Sequence, residues 1–109
     1  MVIEIMGVKI IDLFGTKWRV KFVDHIIKDD NGDTFWGRTN HSKGLIEVGT
    51  VDSDGRKLSN EELRLTLLHE IMHAVFGTGQ YWSMNDDEPL VEWCARCLNS
   101  IYKSKILEL

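Results

Sequence analysis

His69-Glu70-Ile71-Met72-His73 sets two imidazoles four positions apart with a carboxylate directly after the first. On an α-helix, residues four apart differ by about 40° in azimuth and about 6 Å in height, so both rings can reach one ion. Glu70 lies about 100° round the helix from His69, off the ligating line yet near enough to take a proton from a water that the ion activates. Shuffled chains of this composition contain the spacing about once in a hundred, and the apolar turns around it argue against a solvated helix face. A catalytic zinc needs a third protein ligand. No histidine follows His73, so the residues leave the acids: Glu88 and Glu92, four apart, and behind them Asp86 and Asp87.

A motif of this kind needs a helix to carry it. Ser59-Asn60-Glu61-Glu62 has the form of a capping box and predicts a helix start. The apolar run Leu63, Leu67, Leu68, Ile71, Met72, Val75 and Phe76 continues that helix to a stop near Gly77 to Gly79. A polar connection over 78–87 leads to a second helix starting near Glu88-Pro89, where proline suits a first turn. Ahead of the helices the period is two: Trp18, Val20 and Phe22 alternate with Lys17, Arg19 and Lys21, as in a strand with one wet face. Residues 2–13, rich in Val and Ile, predict a more central strand. Asn31-Gly32 predicts a tight hairpin turn with a partner strand near Thr34 to Arg38, and Leu45-Ile46-Glu47-Val48-Gly49 completes a meander. The expected fold is α+β, one domain over 1–109: a small, mainly antiparallel sheet, then the metal helix, then a second ligand-bearing helix.

Composition narrows the function classes. With 43% hydrophobic residues and a single proline, the chain can bury a core. A net charge of −4 gives no basic surplus for nucleic acid or an anionic membrane, so neither partner is expected. No apolar run reaches membrane-spanning length, and Glu4 stands where a signal peptide would be basic; the expected compartment is the cytoplasm. Cys94-x-x-Cys97 falls within the second helix at apolar spacings and reads as buried thiols. Residues 50–61 match much of a calcium loop, but position 1 is Thr50, and a loop leading into a helix cap explains them better. The four tryptophans read as core anchors, apart from Trp82, which with Tyr81 is placed to line a cleft.

Leu67-Leu-His-Glu-Ile-Met-His-Ala-Val-Phe76, followed by Glu88-x-x-Val-Glu-x-x-Ala95, resembles the small zinc metallopeptidases of the ImmA/IrrE-like group and related phage or mobile-element proteins, a gluzincin branch. The resemblance covers about residues 59–102 and implies a minimal zincin-like fold. It implies one Zn²⁺ per chain held by His69, His73 and Glu88, with Glu70 as general base and Glu92 placed to orient a histidine ligand. It further implies that a strand beside the metal helix pairs with an extended peptide, for which Leu45, Ile46, Glu47 and Val48 are the natural candidates. Two departures stand out: Val91 and Trp93-Cys94 replace residues of other shape, and no helix is legible ahead of the sheet. The expected activity is zinc-dependent hydrolysis of a peptide bond in a peptide or protein substrate, with a regulatory protein as one candidate. His41, Tyr81 and Tyr102 are each able to donate to the oxyanion, and the sequence selects none of them. Two other readings remain at this point: a non-catalytic, zinc-stabilised binding module, and a metal-free interaction protein. The presence of Glu70 favours the enzyme, because a structural site has no use for a base.

Overall fold

The computed structural model describes residues 2–5 and 8–107 and shows a small α+β domain with a mixed sheet followed by helices. The strands are β1 (Val2–Ile5), β2 (Val8–Leu13), β3 (Thr16–Val23), β4 (Ile27–Lys28), β5 (Thr34–Phe35), β6 (Gly37–Asn40) and β7 (Leu45–Gly49). The helices are α1 (Asn60–Thr78), the one-turn α2 (Trp82–Asn85) and α3 (Glu88–Ser104). Five strands form the main sheet in the order β1-β2-β3-β7-β6, and β4 and β5 form a separate small ribbon.

Strand β3 supplies the alternation that its sequence requires: Trp18 and Val20 are buried, while Lys17, Arg19 and Lys21 face water. Their apolar face joins Ile46 and Val48 of β7 and Ala74 of α1 in one core, with Leu63, Leu67 and Ile71 of α1 packed against it. Ile46 and Val48 have no exposure at all, which is the environment of an inner strand. β7 is therefore not the end of a meander. It pairs in parallel with β3, Val20 opposite Ile46, and antiparallel with β6, Thr39 opposite Ile46. The outer strand on that side is β6, whose sequence Gly-Arg-Thr-Asn is polar as edge strands commonly are.

Three other expectations change. Residues 2–13 form an antiparallel pair of strands rather than one, with Val2 opposite Ile11, and β1 rather than a central strand occupies the outer position. The Asn31-Gly32 turn exists, but only Gly32 takes positive φ; the Asp29 carboxylate organises the loop by accepting the N–H groups of Asn31 and Asp33, both at 2.9 Å. The strand expected over 34–38 is broken at Trp36, so that β5 pairs with β4 while β6 joins the main sheet. Among the tryptophans only Trp18 is buried; Trp36, Trp82 and Trp93 are exposed. Cys94 and Cys97 are half-buried free thiols on α3. In the 50–61 loop, Asp52 accepts the N–H groups of Asp54 and Arg56 and so serves as a turn residue.

The capping box is complete: Glu62 N–H donates to Ser59 Oγ at 3.1 Å, and Ser59 N–H donates to Glu62 Oε1 at 3.0 Å. α3 starts with Asp87 accepting Leu90 N–H at 3.1 Å, which places Asp87 in a cap rather than at the metal motif. Val91, Ala95 and Asn99 of α3 are buried. Asn99 Oδ1 accepts from Arg64 Nε at 2.6 Å, tying α3 to the first part of α1. Among the described residues no helix is long and apolar enough to cross a membrane.

Ser59→Ala is expected to lower unfolding stability by about 1 kcal/mol, read from urea midpoints at neutral pH. The hydrogen bond from Ser59 N–H holds the Glu62 carboxyl below its usual range. Its share of stability is therefore present above the ordinary carboxylate pKa and is lost as pH falls through the lowered folded value.

Candidate metal centre

Two turns of α1 present His69 and His73 to α3, and their rings stand 5.0 Å apart between centroids. Both Nε2 atoms meet the Glu88 carboxylate, His69 Nε2 at 3.0 Å from Oε2 and His73 Nε2 at 3.0 Å from Oε1. One ligand atom from each of these three residues lies within 4.8 Å of the other two, so the group could hold a metal ion. Two imidazole nitrogens and a carboxylate oxygen are a donor set that suits zinc among other first-row metals. Glu88 can reach because α3 begins with it, at the end of the short path through α2 from the C-terminus of α1.

The other ring nitrogens are also engaged. His69 Nδ1 is 3.0 Å from Glu92 Oε1, and Glu92 is held in turn by Arg96 through Nε at 3.2 Å. His73 Nδ1 is 3.0 Å from Asn85 Oδ1. A ring that donates its Nδ1 proton to these acceptors presents at Nε2 the lone pair that a metal would use. Glu88 and Glu92 thus contact different nitrogens of His69, Glu88 on the side shared with His73 and Glu92 behind the ring. Asn85 was not legible as a site residue: it sits in the 78–87 connection, which reads as a polar loop and forms α2.

Glu70 is buried at 8% exposure, although it follows His69 directly. Its burial comes from β6. A Cβ at Gly37 would lie 2.8 Å from Glu70 Cγ and 2.9 Å from Thr66 Cγ2, so the strand can lie this close to α1 only with glycine there. Thr39 Oγ1 donates to Glu70, with Oε1 at 2.7 Å and the backbone carbonyl at 3.0 Å. Burial pushes the Glu70 carboxyl above the usual carboxylate range. The Thr39 hydrogen bond and the fields of His69 and His73 pull it down, and the Glu88 charge adds to the upward push. Thr39 is a second site residue that its sequence does not mark, since a threonine in a short polar strand has no chemical signature.

The cleft over these residues has a volume of about 660 Å³ and is lined by Thr39, His41, His69, Glu70, His73 and Glu88, among others. A neighbouring cavity of about 330 Å³ shares Phe35, Gly37, His69 and Glu70 with it and is walled by Trp36, Leu65 and Thr66. The strand beside this groove is β6. The expected substrate strand Leu45, Ile46, Glu47 and Val48 is covered on both sides by β3 and β6, so its peptide groups are already paired. Gly49 N–H donates to Trp36 O at 2.7 Å, which sets the alternation of the β6–β7 ladder. Residues 36, 38 and 40 turn their peptide groups toward β7, and Gly37 and Thr39 turn theirs to the open side.

Of the three candidate donors, His41 lines the cleft; Tyr81 and Tyr102 do not, and both are largely exposed. Tyr102 packs instead under the Arg64 guanidinium, 4.7 Å from the ring centre. No family model, no curated protein and no solved structure matches this chain.

Gly37→Ala tests the close approach of β6. The added methyl has to displace Thr66 or the buried Glu70, and a stability loss of about 1–3 kcal/mol is expected from thermal or urea unfolding. A variant as stable as wild type would show that β6 is free to move off the helix.

Proposed function

We propose that the protein is a zinc-dependent metallopeptidase of the zincin kind, akin to the ImmA/IrrE-like group, acting on an extended peptide segment. The observation that carries this reading is the meeting of His69 Nε2, His73 Nε2 and the Glu88 carboxylate in front of a buried carboxylate, Glu70. The donor set fits zinc, and the acceptors at both Nδ1 atoms fit imidazoles that ligate through Nε2.

Bound zinc would polarise the scissile carbonyl and lower the pKa of an attacking water from about 15.7 toward about 7. The residues of the chain perform the rest. Glu70 accepts the proton of the attacking water and delivers it to the leaving amine; its raised affinity for a proton suits both halves of that task. Thr39 holds Glu70 Oε1 and so fixes where the second carboxylate oxygen points. The outward N–H and C=O groups of Gly37 and Thr39 offer an extended peptide a strand to pair with, beside the cleft. Phe35, Trp36 and Leu65 wall the adjoining cavity and favour an apolar side chain there.

Elemental analysis of purified protein after zinc loading and removal of excess is expected to find about one zinc per chain, and Glu88→Ala is expected to lose it. Glu92→Gln should keep the zinc with affinity lowered about 10- to 100-fold, because it leaves the ligands and weakens the partner of His69 Nδ1. Glu70→Gln should keep the zinc and lower hydrolysis of a generic peptide library by about 10²- to 10⁴-fold. Wild-type protein that holds no zinc overturns the reading; zinc held with equal turnover in wild type and Glu70→Gln overturns the assigned base.

A further inference from the structure

His41 follows β6 and is the third residue, after Gly37 and Thr39, on the side of the strand that faces α1. Gly37 packs on Thr66 and Glu70, Thr39 on Glu70, and His41 on Gly77. Gly77 lies about 10 Å further along the helix axis than Glu70, with His73 between them. Glu70 and His41 therefore flank the His73 end of the centre from opposite directions.

The seat of His41 is closely fitted. Trp18 and Trp82 meet its ring edge to face, with centroids at 5.6 Å and 5.0 Å. Its Nδ1 and Cε1 lie against Gly77 where any Cβ would overlap them, so this glycine is required by the histidine. Nδ1 is buried and has no hydrogen-bond partner among the described residues. A proton on that atom would be a buried donor with no acceptor, which costs more than an idle lone pair. Burial first, and the field of His73 second, also lower the affinity of the ring for a second proton, against the Asn85 side chain and the Asp86 charge, which raise it. The ring is thus neutral with its proton on Nε2. Nδ1 is turned to Gly77 without a partner, whereas Asn85, which bears on the ring as a hydrogen-bonding side chain, lines the cleft that His41 shares with His73 and Glu88, so Nε2 is the nitrogen on that side.

We propose that His41 is a catalytic residue that donates its Nε2–H to the oxygen of the scissile carbonyl as that oxygen gains charge. The assignment rests on the metallopeptidase reading and adds to it the residue that stabilises the oxyanion. A neutral donor held by two indoles and a glycine needs no rearrangement at the moment of reaction, which is the condition under which such donors act strongly. Tyr81 and Tyr102 lie outside the cleft.

The test uses the zinc-loaded full chain, with a peptide phosphinate as mimic of the tetrahedral species and ¹⁵N NMR of the imidazoles. His41 is expected to show a protonated Nε2 and a bare Nδ1. His41→Phe, which fills the aromatic seat without a donor, is expected to keep its zinc and to bind the phosphinate about 100-fold more weakly. His41→Gln, whose amide nitrogen can reach the Nε2 position, should recover most of that loss. A proton found on Nδ1, or a zinc-loaded and folded His41→Phe that binds the phosphinate as wild type does, overturns the role of His41 alone. Wild-type protein without zinc, or with zinc and no affinity for the phosphinate, overturns the metallopeptidase reading and this role with it.

Discussion

The arrangement of the site depends on how closely β6 approaches the motif turn of α1. Gly37 removes the side chain that would hold strand and helix apart, and Thr39 then reaches the Glu70 carboxylate at 2.7 Å. The approach of the strand buries the carboxylate, which raises its proton affinity, and the Thr39 hydrogen bond opposes part of that rise. The same approach brings the free edge of the sheet beside His69 and His73. If the strand stood a methyl group further off, Glu70 would be solvated and the edge would run past the imidazoles at a distance. The helix supplies the two histidines, but the strand makes one of its glutamates into a candidate base.

The opposite flank of α1 is governed by charge and hydrogen bonding. Glu88 and Glu92 come from adjacent turns of α3 and address the two nitrogens of His69 from different sides, and Asn85 does for His73 what Glu92 does for His69. With an acceptor on each Nδ1, both rings are oriented without an ion having to do so. Arg96 offsets the charge of Glu92, so the acidic residues around the pair are not left wholly to repel one another.

The helical half of this arrangement was legible in the sequence because its determinants are local. The capping box at Ser59, the four-residue spacing of His69 and His73, and the cap and proline at the start of α3 act within one or two turns. The residues mark both Glu88 and Glu92 as candidate acids but do not divide them. The sheet was less legible, since strand order depends on partners far apart in the chain. β7 looks like a last strand by position, yet its full burial comes from being inserted between β3 and β6. The polarity of Gly37-Arg38-Thr39-Asn40 was the available sign that these residues form the edge. Thr39 and Asn85 carried no sign, because a hydroxyl and a carboxamide gain meaning here only from the carboxylate and the imidazole that the fold brings to them.

The parallel pairing of β3 with β7 also has a consequence for the order of assembly. His69 to Glu92 belong to a helix–turn–helix stretch whose side-chain contacts span 12, 19 and 23 residues, against 26 for the pairing of Val20 with Ile46. The edge that borders the cleft is secured only when β7 closes against β3, across the whole excursion that holds β4, β5 and β6. Closing a long loop loses chain entropy before the pairing returns anything, so nearby contacts form faster than distant ones. The two histidines and Glu88 can thus gather in a chain whose sheet is still open, while the groove waits for the wider closures that join β7 to β3 and Thr39 to Glu70.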